Sequence, residues 1–174
     1  MSLSDKLKAL GFKPELNLDG EWQPYNGTYK CSWKTLRADY DEKNQGAFVQ
    51  AEWDIEETLA GDMKRDSKFP AFRRRYYFDW ENPTDDQLEN AQDLANDVFT
   101  ATGLEVDLGS QEAFRLSAQS VVGKEAYLRA WGFTFEKKKD GTPIPEDQRK
   151  TIQYFVVQKA SVAQKKRSAS SVAF

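Results

Sequence analysis

The chain is predicted to be a mainly β protein: a small five-stranded barrel with helices inserted between the third and fourth strands. Three observations predict it. Five segments alternate apolar and polar residues with period two, the signature of half-buried strands. One segment between them has helical periodicity and strong end signals. The first strand shifts its apolar phase by one residue midway, as a strand does when it bends around a narrow barrel. At 174 residues, 39% hydrophobic and 13% aromatic, the chain is long and apolar enough for one domain with a real core. No apolar run approaches the roughly 18 to 20 residues of a membrane span. The first eight residues lack a signal-peptide pattern, so a cytoplasmic protein without membrane contact is expected.

Residues 1–26 are expected to form an N-terminal extension. Ser4 to Leu10 reads as a short helix with Leu3, Leu7 and Leu10 on one side, and Gly11 closes it. Phe12 to Asn26 reads as a loop in which Trp22 and Tyr25 cover the mouth of the core. The barrel spans 27–157. Its first strand, Gly27 to Tyr40, turns Tyr29, Cys31 and Trp33 inward, then shifts to Leu36, Ala38 and Tyr40 near Thr35. A second strand, Ala47 to Leu59, turns Val49, Ala51, Trp53 and Ile55 inward. Its outer face carries Gln50, Glu52, Asp54 and Glu56, carboxylates expected to pair with Lys30, Lys34 or the arginines of the next strand. The third strand, Phe72 to Trp80, alternates Phe72, Arg74, Tyr76, Phe78 and Trp80 with Arg73, Arg75, Tyr77 and Asp79.

The helical insertion occupies 84–122. Thr84 is an N-cap with Gln87 three residues on, Asp85 and Asp86 suit the positive end of the helix, and Gly103 stops it. Ser110 caps a second, shorter helix ending near Gly123. In the fourth strand, Lys124 to Glu136, the small residues Ala126, Leu128 and Ala130 suit a tight interior, which places Tyr127, Arg129 and Trp131 outside. A basic hairpin loop with Lys137, Lys138 and Lys139 leads to the last strand, Thr151 to Val157. The tail, 158–174, is rich in Ser, Ala and Lys and is expected to be mobile.

Composition removes several function classes. With no histidine, Ser-His and Cys-His nucleophile pairs and imidazole acid-base chemistry are excluded. The single cysteine, Cys31, reads as a core residue. No phosphate-cradling glycine loop is present, and no cofactor is expected. The net charge of -3 conceals a division: from Asp79 to Glu112 there are ten acidic residues and no Lys or Arg, leaving 25 basic residues against 18 acidic elsewhere. A metal-dependent nuclease using Glu52, Asp54 and Glu56 finds no supporting catalytic motif.

The third strand and the loop before it hold the candidate site. Between Gly61 and Arg75 lie six basic residues, Lys64, Arg65, Lys68, Arg73, Arg74 and Arg75, against two acids, interleaved with Phe69, Phe72, Tyr76 and Tyr77. Cations beside aromatic rings supply charge for phosphates and flat faces for bases. Tyr, Trp and Arg also dominate protein interfaces, so a module that docks a replication or host protein is the alternative from another class.

Five strands with helices between the third and fourth is the element order of the OB-fold. The chain resembles the phage-encoded single-stranded DNA-binding proteins with that fold. The residues that carry the resemblance are Gly27-Thr28-Tyr29, Gln45-Gly46-Ala47-Phe48, the segment from Arg73 to Trp80, the insertion ending in Gly103, and Val122-Gly123-Lys124. It spans Gly27 to Val157 and implies non-catalytic, sequence-tolerant binding of single-stranded DNA in phage DNA replication, recombination or repair. It points to Lys64, Arg65, Lys68, Arg73, Arg75, Tyr77, Tyr127, Arg129, Trp131, Lys137, Lys138 and Lys139 as DNA contacts. The partners it implies are single-stranded DNA and replication or recombination proteins, with a homo-oligomer left open. Such proteins commonly end in an acidic tail with a terminal phenylalanine, whereas here Phe174 follows a basic stretch.

Overall fold

The computed structural model describes residues 1–17, 27–61, 71–134, 136–149 and 151–158. They contain five strands, β1 (Gly27–Asp41), β2 (Gly46–Gly61), β3 (Ala71–Tyr77), β4 (Glu125–Thr134) and β5 (Thr151–Gln158). They also contain three α-helices, α1 (Leu3–Ala9), α2 (Asp85–Thr102) and α3 (Gln111–Ala118). The strands form one antiparallel sheet in the order β3-β2-β1-β4-β5. No helix among the described residues is long and apolar enough to cross a membrane.

The alternation read from the sequence sets the two faces. Tyr29, Cys31, Trp33, Val49, Ala51, Trp53, Phe72, Tyr76, Ala126, Leu128 and Ala130 are all buried in one core. The phase change in β1 is real: the β1–β2 register slips between Trp33 and Thr35, and twice more nearer the start of β1. Each slip bends the strand, so the 15-residue β1 pairs with β4 over Gly27–Ser32 and with β2 along its whole length.

The helices close the inner face. Thr84 and Gln87 form a reciprocal capping box at the start of α2, and Gly103 ends it in the left-handed conformation (φ 72°) that a side chain resists. Ala91, Leu94, Ala95 and Val98 of α2 and Phe114 and Ala118 of α3 complete the core. The N-terminal residues belong to this core too. Leu3 and Leu7 are buried, and the Leu3 N–H donates to the Trp80 carbonyl at 2.9 Å. Trp22 and Tyr25 lie outside the described residues, as does the C-terminal tail beyond Gln158.

The expected barrel is not closed. β3 and β5 are the two edges of the sheet, and no ladder joins them. Side chains fill the seam instead. Phe155 of β5 packs against Phe72 of β3 (5.1 Å between ring centroids) and lies under the Arg74 guanidinium at 4.3 Å. Arg74 also donates to the Phe155 carbonyl and to Asp97 of α2, and Tyr76 donates to the same carboxylate. Asn17 enters beside them, donating from Nδ2 to Asp97 at 2.7 Å and to the Val157 carbonyl at 3.3 Å. Two acceptors on the β5 edge are thus taken by side chains. Burial works against the charge on Arg74, but Tyr76 and Asp97 outweigh it and hold its pKa above the ordinary arginine value. Burial, and then Asp97, push Tyr76 well above the usual phenol range.

Candidate nucleic-acid interface

The outward residues of β3, β2 and β1 form three cross-strand rows. Tyr77 lies opposite Phe48 and Phe48 opposite Asp39; Arg75 opposite Gln50 and Gln50 opposite Arg37; Arg73 opposite Glu52 and Glu52 opposite Thr35. Because successive side chains leave a strand on opposite faces, Arg73, Arg75 and Tyr77 share the outside while Phe72 and Tyr76 go to the core.

Arg75 is the centre of this patch. Its guanidinium carbon lies 4.3 Å from the centre of the Phe48 ring, inside the range of a cation–π contact. Its Nη1 donates to the Tyr77 hydroxyl at 3.2 Å and lies 3.6 Å from the Asp41 carboxylate, and its Nε donates to Gln50 at 3.3 Å. The Tyr77 hydrogen bond, with Asp41 and Asp39 nearby, raises its pKa further. The side chain is nonetheless 46% exposed, so a cation held in place by a ring and three polar partners still faces solvent. Arg73 is 56% exposed and pairs with Glu52 at 3.6 Å.

The other expected contacts divide. Lys137, Lys138 and Lys139 lie exposed on the β4–β5 connection, which is braced by a bridge between Lys137 and Pro143 and by the Lys138 N–H donating to the Thr142 carbonyl at 2.8 Å. No hydrogen bond or ion pair among the described residues links these lysines to the Arg75 patch, whose partners are Phe48, Gln50, Tyr77 and Asp41. Trp131 is half-buried and stacks on Tyr154 of β5, with centroids 6.0 Å apart and planes 17° from parallel. The expectation that Tyr127 and Arg129 stand outside in solvent is overturned: they are only 8% and 7% exposed. Lys64, Arg65 and Lys68 lie outside the described residues.

The acids of β2 behave largely as expected. Glu52 pairs with Arg73, and Asp54 lies 3.9 Å from Lys34. Lys30 instead pairs with Glu125 of β4 at 3.2 Å, a contact that raises its pKa. Phe48 was missed as a site residue. Its signal was present, since it falls in phase with Gln50 and Glu52 on the outer face, where a phenylalanine needs a cover. Gln50, a polar outward residue by its strand phase, connects Glu52 to Arg75.

Together the fold and this patch define a mainly β protein whose outer sheet face presents a cation on an aromatic ring. No family model matches the chain, and no curated protein matches it.

Proposed function

We propose that the protein binds single-stranded DNA with little sequence preference and acts non-catalytically in phage DNA replication, recombination or repair. The observation that carries this reading is Arg75, held over Phe48 and beside Tyr77 while nearly half exposed. A guanidinium set on a ring offers a phosphate its charge and a base its flat face, and every base has such a face whatever its sequence. Arg73, one row away, extends the positive track along β3. The exposed Lys137 to Lys139, on the β4–β5 connection, provide a further phosphate contact. Each stacked base contributes roughly 1 to 3 kcal/mol, so affinity comes from a few stacks plus counterion release.

A labelled single-stranded oligonucleotide, titrated at low and moderate salt beside duplex DNA and single-stranded RNA of the same length, tests this. The expected result is preferential single-strand binding that weakens steeply with salt. Replacing Arg73 and Arg75 together by Glu should lower the affinity on the order of a hundredfold while the thermal transition stays in place. Absence of single-strand binding at about 50 mM salt would sink the proposal. Loss of a protein complex instead, in the same double variant, would identify the face as a docking surface.

A further inference from the structure

Glu52, on β2 between Arg73 and Thr35, contributes the wrong charge for a surface that receives phosphates. Its side chain is only 16% exposed, and both oxygens have partners. Oε1 accepts from Gln50 Nε2 at 2.6 Å and lies 3.6 Å from Arg73 Nε, while Oε2 accepts from the Thr35 hydroxyl at 3.4 Å. Gln50, itself buried, accepts in turn from Arg75 Nε at 3.3 Å. One carboxylate is therefore linked to both outward arginines of β3, to the first directly and to the second through an amide.

This carboxylate cannot leave cheaply. Swinging away from Arg73 would strip Gln50 and Thr35 of their acceptor, and a mostly buried amide without its partner costs far more than an exposed ion pair gains. A phosphate approaching Arg73 thus meets a cation already compensated by a fixed negative charge.

Resting on the single-strand-binding reading, we propose that Glu52 is a built-in competitor of the DNA phosphate for Arg73. Held by Thr35, it positions Arg73 directly and Arg75 through Gln50 and, by keeping Arg73 compensated, holds affinity below what the same side chains would give without it. A surface that must bind any sequence and still release it is served by such a carboxylate.

The test is Glu52→Gln. The new side chain has the same shape: its amide oxygen still accepts from Gln50, and its NH₂ can donate to the Thr35 hydroxyl, so only the charge is removed. At about 50 mM salt the variant should bind a single-stranded oligonucleotide roughly three- to tenfold more tightly than the parent, because one unscreened charge within several ångströms is gone. The plot of log affinity against log salt should steepen by about 0.7, the increment for one more phosphate neutralised on a single strand. Glu52→Asp, which keeps the charge, should not steepen the slope, and the double variant Glu52→Gln/Arg73→Gln should lose the increment. A parent that binds while Glu52→Gln has unchanged or weaker affinity and an unchanged slope overturns the competitor role and leaves the binding function standing. If neither protein binds single strands, the functional reading itself fails, and this inference with it.

Discussion

β3 and β4 both carry arginine and aromatic residues on their outward side, Arg73, Arg75 and Tyr77 on one and Tyr127, Arg129 and Trp131 on the other, yet the structure treats the two strands differently. Arg73 and Arg75 on β3 are about half exposed, whereas Tyr127 and Arg129 on β4 are buried. The two strands also differ in place. β3 is an edge, with neighbours only on β2. β4 is interior: Tyr127 lies between Lys30 and Gln158, and Arg129 between Thr28 and Val156. Thr28 and Gln158 are themselves nearly inaccessible, so the β4 row is covered at Tyr127 and Arg129, while Trp131 stays half-buried. An Arg-aromatic alternation is accessible only where nothing covers its outer face, and the pattern of the strand alone does not decide that.

The contrast can be broken most severely at Arg74, the inward member of the β3 triplet. It carries the seam between the sheet edges, reaching Asp97, the Phe155 carbonyl and the Phe155 ring at once. Arg74→Ala leaves a buried carboxylate without its cation and should cost about 3 to 4 kcal/mol. Urea unfolding would read this as a lower midpoint, with Arg74→Lys recovering only part of it because a single ammonium cannot span the two acceptors. A midpoint within experimental error of the parent would mean the seam is not held by this side chain.

A second, smaller effect separates the two rows directly. Arg129→Ala should destabilise by about 2 to 3 kcal/mol through lost packing and polar contacts, whereas Arg73→Ala should leave the melting temperature within about 2 °C. Oligonucleotide affinity should show the opposite ranking at a temperature where both variants are folded. Equal stability losses at the two positions would erase the distinction between the open row and the covered one.

Much of the fold was legible because local chemistry determined it. The caps of α2 and the phase slip in β1 are written in a few residues each: Thr84 with Gln87, Gly103, and the shift from Trp33 to Leu36. The inward set on β4 was legible too, since Ala126, Leu128 and Ala130 leave no doubt about the tight side. Strand order was not. Whether a sheet closes depends on which edges meet and what lies between them. Here Asp97, 23 residues after Arg74, and Asn17, 140 residues before Val157, occupy the seam. For the same reason the exposure of Tyr127 and Arg129 could not be read, because it depends on neighbours that no period-two pattern identifies. Within the candidate site the charges were visible, but their partners Gln50 and Glu52 took their roles from cross-strand register.

The smallest effect concerns pH and sets two carboxylates shifted in opposite directions against each other, Asp93 of α2 and Asp41 at the end of β1. Asp93 lies one helical turn from both Asp97 and Glu89. Burial first, then those two carboxylates, raise its pKa, with Arg74 opposing. A raised value in the fold means that ionising Asp93 costs stability: its contribution is complete below the ordinary carboxylate range and is lost as pH rises through the folded value. Asp41 has the opposite sign. The Asn44 side chain, then the Asn44 backbone N–H, lower its pKa, so its contribution is present above the ordinary range and is lost as pH falls through the folded value. Asp93→Asn should therefore stabilise the protein at pH 7 by a few tenths of a kcal/mol, discounted because the side chain is partly solvated, and should give no gain near pH 3, where the parent residue is already neutral. Asp41→Asn should instead destabilise at pH 7 and converge on the parent in acid. Melting curves of both variants at the two pH values test this, and a gain for Asp93→Asn that persists in acid would show that the gain does not come from removing its charge.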